Sequence, residues 1–510
     1  MSLTGWIIGA MAAYLAVILL IGFVAGRGSA STNEGFYVAS RRLTWWQDSF
    51  AVFTTAAPAA ALTGTIGLFY TGGANMLGYV IAYLLVSPVI YLLIGTRLRR
   101  IGARLKYQTQ ADFAGRFFQS PFLHYLTSVG GIVFLVPYFA VNPIALGLVL
   151  HATTGTPYAL GVALFLLVTL AYSYFGGLKA IAQTDVFHGF LLLVFFLITV
   201  PVLFAHAGGF GSVLAHDSGT VTNPVEFVTW VVYLGLTPAV WADRCLRMYS
   251  VVDDRNIRRS AISIGVTLGI AGLSFFLLGV VSRAIIPGLS PTTAQTSLAA
   301  SLGKAAPWLI PFYIVSLWGG GMSGLSSGML ATANMFTKDL YVRVWKPLWA
   351  DFTKADAERD RATVKVGRAF MVVVAALSAV IAGPQPTFIY FLIFMTLGAF
   401  LQFVPMFLGG LYWRGASTTA VVISFMVGVA LTAYWTFVTP PPFGFEAGLA
   451  ALLVNALLFV IISWLAPDAA GRQTERDTIR VVATTPFEDA SVDGLGVPAI
   501  PRSGPATPSP

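Results

Sequence analysis

The sequence predicts an all-α fold, a polytopic membrane protein of about 13 transmembrane helices. Composition is the first observation behind this. Of 510 residues, 57% are hydrophobic and 10% charged, and the mean hydropathy is +0.79, whereas a soluble domain carries about 25% charge. The second is the number of apolar runs of membrane-crossing length. They lie at about 5–25, 46–70, 75–96, 121–150, 157–176, 185–206, 225–242, 260–282, 306–334, 367–383, 386–411, 416–438 and 446–465, and are numbered spans 1 to 13 here. The third is the placement of helix breakers. Span 2 carries Pro58 within TTAAPAAALTGTIGLF, and span 7 carries Gly235, Thr237 and Pro238 within YLGLTPAVW. Two interrupted helices five spans apart match a five-plus-five inverted repeat whose first helix in each half is broken at the binding site.

Charge placement orients the chain. With the N-terminus outside and the C-terminus cytoplasmic, all of the 30 Lys and Arg except Arg283 and Lys304 fall on the inner side, as the positive-inside rule requires. The net charge of +9 therefore speaks for a membrane surface and against nucleic acid. The lone Cys245 excludes a disulfide framework and a cysteine metal site. The five histidines have no metal-ligand spacing. MSLTGW offers no basic leader, so span 1 reads as a retained helix. Four regions follow: an extra helix and cytoplasmic loop at 1–43, a transport core at 44–411, two peripheral helices at 412–465, and a Pro-, Asp-, Ser- and Thr-rich tail at 466–510 expected to be disordered in the cytoplasm.

In chain order, FYVASRRLTWW between spans 1 and 2 is a basic, aromatic interfacial segment. In span 2, Pro58 removes a backbone donor and clashes one turn back. The result is either a break with free carbonyls near Thr54 and Ala57 or a simple kink. RLRRIGARLK belongs at the lipid headgroups, and Tyr107 to Phe118 reads as a short interfacial helix. Span 4 contains VPYFAVNPIALG. Its Asn142 is placed either to contact a solute or to bond a neighbouring helix. Asp185 opens span 6, as a headgroup-facing anchor, a cation ligand or a proton carrier. Arg244–Arg259 reads as an inner loop after span 7, and span 11 carries Tyr390, Thr396, Gln402 and Pro405.

Span 9 is the centre of the pattern, with WGGGMSGLSSGMLATANMFTKDLY at 318–341. As a helix it puts Ser323, Ser326 and Ser327 on one face. Gly319, Gly320, Gly321 and Gly324 let another backbone come close. Hydroxyls and free carbonyls are hard oxygen ligands suited to a small cation, and they are costly in hydrocarbon unless used. Small residues also serve plain helix packing.

Several of these stretches resemble the sodium/solute symporter family, along roughly residues 5–465. GGLKAIAQTDVFHG is similar to its GG-x-x-A-x-x-x-TD-x-x-Q segment, with His188 where Gln is usual. KYQTQADFAGRF is similar to its T-x-x-D-F/Y-x-x-x-RF segment, and RMYSVVDDRNIRR to its R-x-M segment and basic loop. VPYFAVNPIALG and ANMFTKDLY look most like the monocarboxylate-permease branch. The resemblance implies alternating-access symport, with sodium held between spans 2 and 9 by carbonyls of Thr54, Ala57 and Gly320 and the hydroxyl of Ser323. The family's second hydroxyl falls on Gly324, which has none. A further sodium site in some members implies Asp185 with Ser323, Ser326 and Ser327. Asp185 alone also suits proton coupling.

The expectation is thus a secondary active symporter for a small organic solute, with a monocarboxylate favoured, driven by sodium or protons and needing no cofactor. The solute site is expected at the two breaks, with Thr237, and with Tyr138, Asn142 and Tyr390 beside them. The rival reading is a non-transporting sensor or scaffold on the same fold. A channel lacks its carbonyl filter or charge ring. No metal centre, nucleophile–base pair or phosphate loop marks an enzyme.

Overall fold

The computed structural model describes residues 3–26, 32–214, 220–345, 356–384 and 389–486. Among them the chain is helical throughout, apart from one isolated bridge between Leu43 and Val251. Nine helices among the described residues are long and apolar enough to cross a membrane, against thirteen expected spans. Two of the nine each take in two spans. Tyr158–His206 folds back at Gly177 (φ 60°, ψ −170°), which separates span 5 from span 6. Ala61–Leu105 joins the second half of span 2 to span 3 through a bend at Gly73. Spans 7 and 9 fall outside the nine. Span 7 is cut into short pieces, and the glycines and serines of Ile310–Asn334 lower its hydropathy. Polarity is concentrated in the helices that build the interior.

Both expected interruptions are present. The first half of span 2, Trp45–Ala56, stops at Ala57 (φ −115°, ψ 52°), and the chain resumes as helix beyond Pro58. Span 7 runs as Pro224–Gly235 and Thr237–Val240, turns extended at Trp241 (φ −84°, ψ 127°), and continues as Ala242–Ser250. Proline explains the break at Ala57, which it drives out of the helical region, and the interruption between Gly235 and Thr237, where Pro238 cannot donate to the turn before it. Ile310–Asn334 packs against the span 5–6 hairpin, span 4 and Trp45–Ala56, so its glycine–serine face is wholly interior. The final pair, Thr418–Phe437 and Ala447–Leu465, packs chiefly on itself and on Ile389–Leu401.

Two expectations are corrected. Arg244–Arg259 does not begin as a loop: Ala242–Ser250 is a helix in which every residue is buried, so Arg244 and Arg247 belong to the interior. The continuous helix past Trp241 carries them back into the bundle. The tail is not disordered from 466 onward either. Ala470–Thr484 is a helix docked on the end of span 3. Its Arg476 bonds Asp468 and the Ala416 carbonyl, while Arg104 donates to carbonyls at Val482, Thr485 and Pro486. Basic side chains on the last carbonyls of a helix satisfy acceptors that the helix leaves open. The remaining tail, 487–510, lies outside the described residues.

Gly177 is the hinge on which the span 5–6 hairpin depends. Its backbone conformation is one that side chains avoid. An added Cβ would also lie 2.8 Å from the Phe36 carbonyl oxygen. Gly177→Ala is expected to cost about 1–3 kcal/mol, seen as a lower thermal midpoint of the solubilised protein; an unchanged midpoint would show that the hinge is not held there.

Candidate functional site

A cavity lies where the two breaks face each other. It is lined by Thr55, Pro58 and Thr65 of span 2, Tyr79 and Tyr83 of span 3, and Tyr138 of span 4, together with Trp230, Thr237, Trp241 and Arg244 of span 7. Its volume of about 60 Å³, counted at the centres of water-sized spheres, corresponds to roughly four to six waters at 10–15 Å³ each. Aromatic faces dominate the lining, and Tyr138 and Trp241 meet edge to face at 5.0 Å. Arg244 is the one charged residue on the wall. It is 4% exposed, and its Nε and Nη1 have no hydrogen-bond partner. A buried guanidinium with open donors is suited to a planar anion, above all a carboxylate taken in a two-pronged grip.

Behind the cavity, the break in span 2 is pressed against span 9. A Cβ on Gly320 would sit 2.3 Å from the Ala57 carbonyl oxygen, so only glycine permits this approach. The Thr54 and Ser323 hydroxyls meet at 2.7 Å. Thr54, Ala57, Gly320 and Ser323 are therefore brought to one place. Neighbouring carbonyls at the break are already engaged: Thr55 accepts from the Tyr138 hydroxyl at 3.5 Å and Ala56 from Tyr83 at 3.2 Å. Asn142 does not line the cavity. Its Oδ1 accepts the Ala60 amide at 3.4 Å, capping the restarted helix, and its Nδ2 stands 3.3 Å from where a Gly324 Cβ would lie. The amide of Asn142 thus occupies the space next to the missing hydroxyl at 324. Of the expected solute residues, Tyr138 and Thr237 line the cavity, Asn142 supports the break, and the Tyr390 side chain lies outside the described residues.

Asp185 is not a headgroup anchor: it is fully buried and sits beside span 9. Arg247 Nη2 reaches its Oδ2 at 3.0 Å and donates to the Ser327 hydroxyl at 2.6 Å. Arg247 Nε also lies 3.8 Å from Asp243. The Ser326 hydroxyl donates to the Ser323 carbonyl, and Asp185 Oδ1 has no hydrogen-bond partner. The carboxylate expected to face three serines and a mobile cation therefore already holds a fixed guanidinium. Arg244 and Arg247, three residues apart on one helix, tie this cluster to the cavity wall. Sequence reasoning missed both, because the inner-side tally counted them as loop charges. The signal was available: DRCLR begins five residues after Pro238 of the predicted break, where a resumed helix carries it inward.

The model of the sodium:solute symporter family matches residues 36–428. The sodium/pantothenate symporter of Haemophilus influenzae is 22% identical over 470 residues, 88% of this chain and 93% of that one. The sodium/glucose cotransporter of Vibrio parahaemolyticus is 24% identical over 476 residues, 84% of each. Among solved structures, the substrate-bound outward-open state of a Na+-coupled sialic acid symporter superposes with a TM-score of 0.77 at 16% identity. That match covers 91% of this chain and 98% of the other, a likeness of fold.

The buried pair allows a direct test. Removing one member of a buried ion pair strands the other and costs about 3–5 kcal/mol, whereas removing both leaves no stranded charge. Arg247→Met and Asp185→Asn are each expected to lose stability in that range. The double variant should lose less than the two summed, as read by unfolding in detergent. Additive losses would mean that the two side chains are not coupled.

Proposed function

The chain belongs to the sodium:solute symporter family, and on that premise we propose that it takes up a small monocarboxylate by cation-coupled symport, with Arg244 receiving the carboxylate. The observation that carries this reading is the partnerless guanidinium edge on an aromatic cavity wall. An unpaired buried charge is expensive, and an anionic solute supplies the partner. The cavity's size suits a solute of few atoms, and Thr237 and Tyr138 are placed to contact its uncharged end. Pantothenate and sialic acid, the solutes in the names of two relatives, are themselves carboxylates.

In this reading the coupling ion is sodium, bound where the break meets span 9 by the carbonyls of Thr54, Ala57 and Gly320 and the hydroxyl of Ser323. Asp185, with Ser323, Ser326 and Ser327, is the second acceptor of positive charge, for sodium or a proton, through its open Oδ1, since its Oδ2 and Ser327 are held by Arg247. Arg247 links that acceptor to Arg244, so filling one place alters the field at the other. The membrane orientation is N-terminus outside and C-terminus cytoplasmic. A reporter fused after Lys106 is expected to read cytoplasmic, and one in the 207–224 loop external; exchanged signals would reverse the orientation.

The deciding experiment is uptake of labelled short monocarboxylates into proteoliposomes under an imposed sodium or proton gradient, with a hexose and a neutral amino acid as comparison solutes. Accumulation of the monocarboxylate driven by sodium supports the proposal, and accumulation driven only by protons moves the coupling to Asp185. No driven uptake of any solute favours a sensor or scaffold. Arg244→Gln should weaken apparent affinity by about thirtyfold or more, since truncating one member of a desolvated charge pair costs at least about 2 kcal/mol. Equal affinity in the variant removes Arg244 from the site.

A further inference from the structure

A second buried cluster lies at the cytoplasmic end, away from the cavity. Three segments meet there. The interfacial helix Gln110–Phe117 contributes Asp112, the first turn of Pro121–Thr154 contributes His124, and the continuation of span 9, Met335–Trp345, contributes Asp339. All three side chains are at most 1% exposed, and one ligand atom from each lies within 4.8 Å of the others. Five of their polar atoms have no hydrogen-bond partner: Asp112 Oδ1, both imidazole nitrogens of His124 and both carboxylate oxygens of Asp339.

The charges do not close. Asp112 Oδ2 accepts from the Lys338 ammonium and from the amides of Gln108 and Thr109. No Lys or Arg among the described residues is within salt-bridge distance of Asp339, whose neighbour is His124. Asp112 has Lys338 against it and Arg116 nearby, but the buried carboxylate of Asp339 has no such cation, an arrangement that calls for another one. The His124 Nε2–Asp339 Oδ1 separation is 3.2 Å, yet it lacks the alignment of a hydrogen bond. Two ligands of one tetrahedral ion, each about 2.0–2.2 Å from it, stand roughly 3.3–3.6 Å apart, slightly more than this separation. Gly115 presses on the Nδ1 side of the ring, where its Cβ would come within 2.8 Å, leaving Nε2 as the ligating atom. Asp112 offers its unpartnered Oδ1, while the bonds of its Oδ2 to Lys338 and the capping amides orient the carboxylate as outer-shell partners do.

We propose that Asp112, His124 and Asp339 form a site for a divalent transition-metal ion of the zinc type, with water as the remaining ligand. One imidazole and two carboxylates are a suitable donor set. Because each ligand comes from a different segment, the ion would clamp the interfacial helix, span 4 and span 9 together at their cytoplasmic ends. The site rests on none of the residues assigned to the solute or the coupling ion.

The test uses the full-length protein, purified in detergent and stripped with a chelator, then titrated with Zn²⁺ against a fluorescent competitor. One Zn²⁺ per chain is expected, with a raised thermal midpoint. His124→Gln and Asp339→Asn should each weaken binding at least about tenfold, while His151→Gln, at an exposed histidine, should not. X-ray absorption of the zinc-loaded wild type should show one imidazole among oxygen ligands and no sulfur, a readout that needs no variant to fold. Absence of stoichiometric binding, binding unchanged by His124→Gln in folded protein, or a shell with sulfur or two imidazoles would overturn the proposal. An imidazolium–carboxylate pair, seen as a pH-dependent midpoint with no bound zinc, would also overturn it.

Discussion

A helix interrupted inside a bilayer must find partners for the backbone groups it releases, and the interior of this protein is arranged around that constraint. The interruption at Ala57 and Pro58 exposes consecutive carbonyls and one restarted helix end. Tyr138 and Tyr83 take two of the carbonyls, Asn142 caps Ala60, and Gly320 has no side chain so that the Ala57 carbonyl fits against span 9. None of these side chains is adjacent to the break in sequence. Each lies on a helix whose packing is set by the need to reach it.

The same junction explains why a helix rich in glycine and serine is buried along its whole length. Ile310–Asn334 has a glycine row that admits the neighbouring backbone and a serine row that supplies hydroxyls. In water such a face would have no reason to be buried. In hydrocarbon it packs by close backbone contact and by bonds that cannot be replaced by solvent. Thr54 to Ser323 is one of these bonds, and Arg247 to Ser327 another.

Charge gives the site its second organising element. Asp185, Asp243, Arg244 and Arg247 are all buried, and both arginines lie on the helix that resumes after the second break. Arg247 pairs with Asp185 through Nη2, its Nε and Nη1 having no hydrogen-bond partner, whereas Arg244 has no such pair and opens onto the cavity. One arginine paired with a carboxylate and one open onto the cavity place two positive charges side by side in the interior. The membrane medium makes the difference between them large, because screening by water is absent.

Local order along the chain determined a great deal by itself. Run length marked the apolar spans, proline and glycine marked both interruptions, and spacing put Ser323, Ser326 and Ser327 on one face, because each depends only on residues within a few turns. Tertiary structure decided which groups face one another. Thr54 and Ser323 are 269 residues apart, and Asp185 and Arg247 are 62 apart. It turned Arg244 and Arg247 from loop charges into interior ones, made Asn142 a cap, and ordered the helix at 470–484 that composition alone reads as disordered. Composition and periodicity describe how a segment meets its solvent. Whether a charge ends in water or opposite a partner depends on where distant helices pack, and no local pattern carries that information.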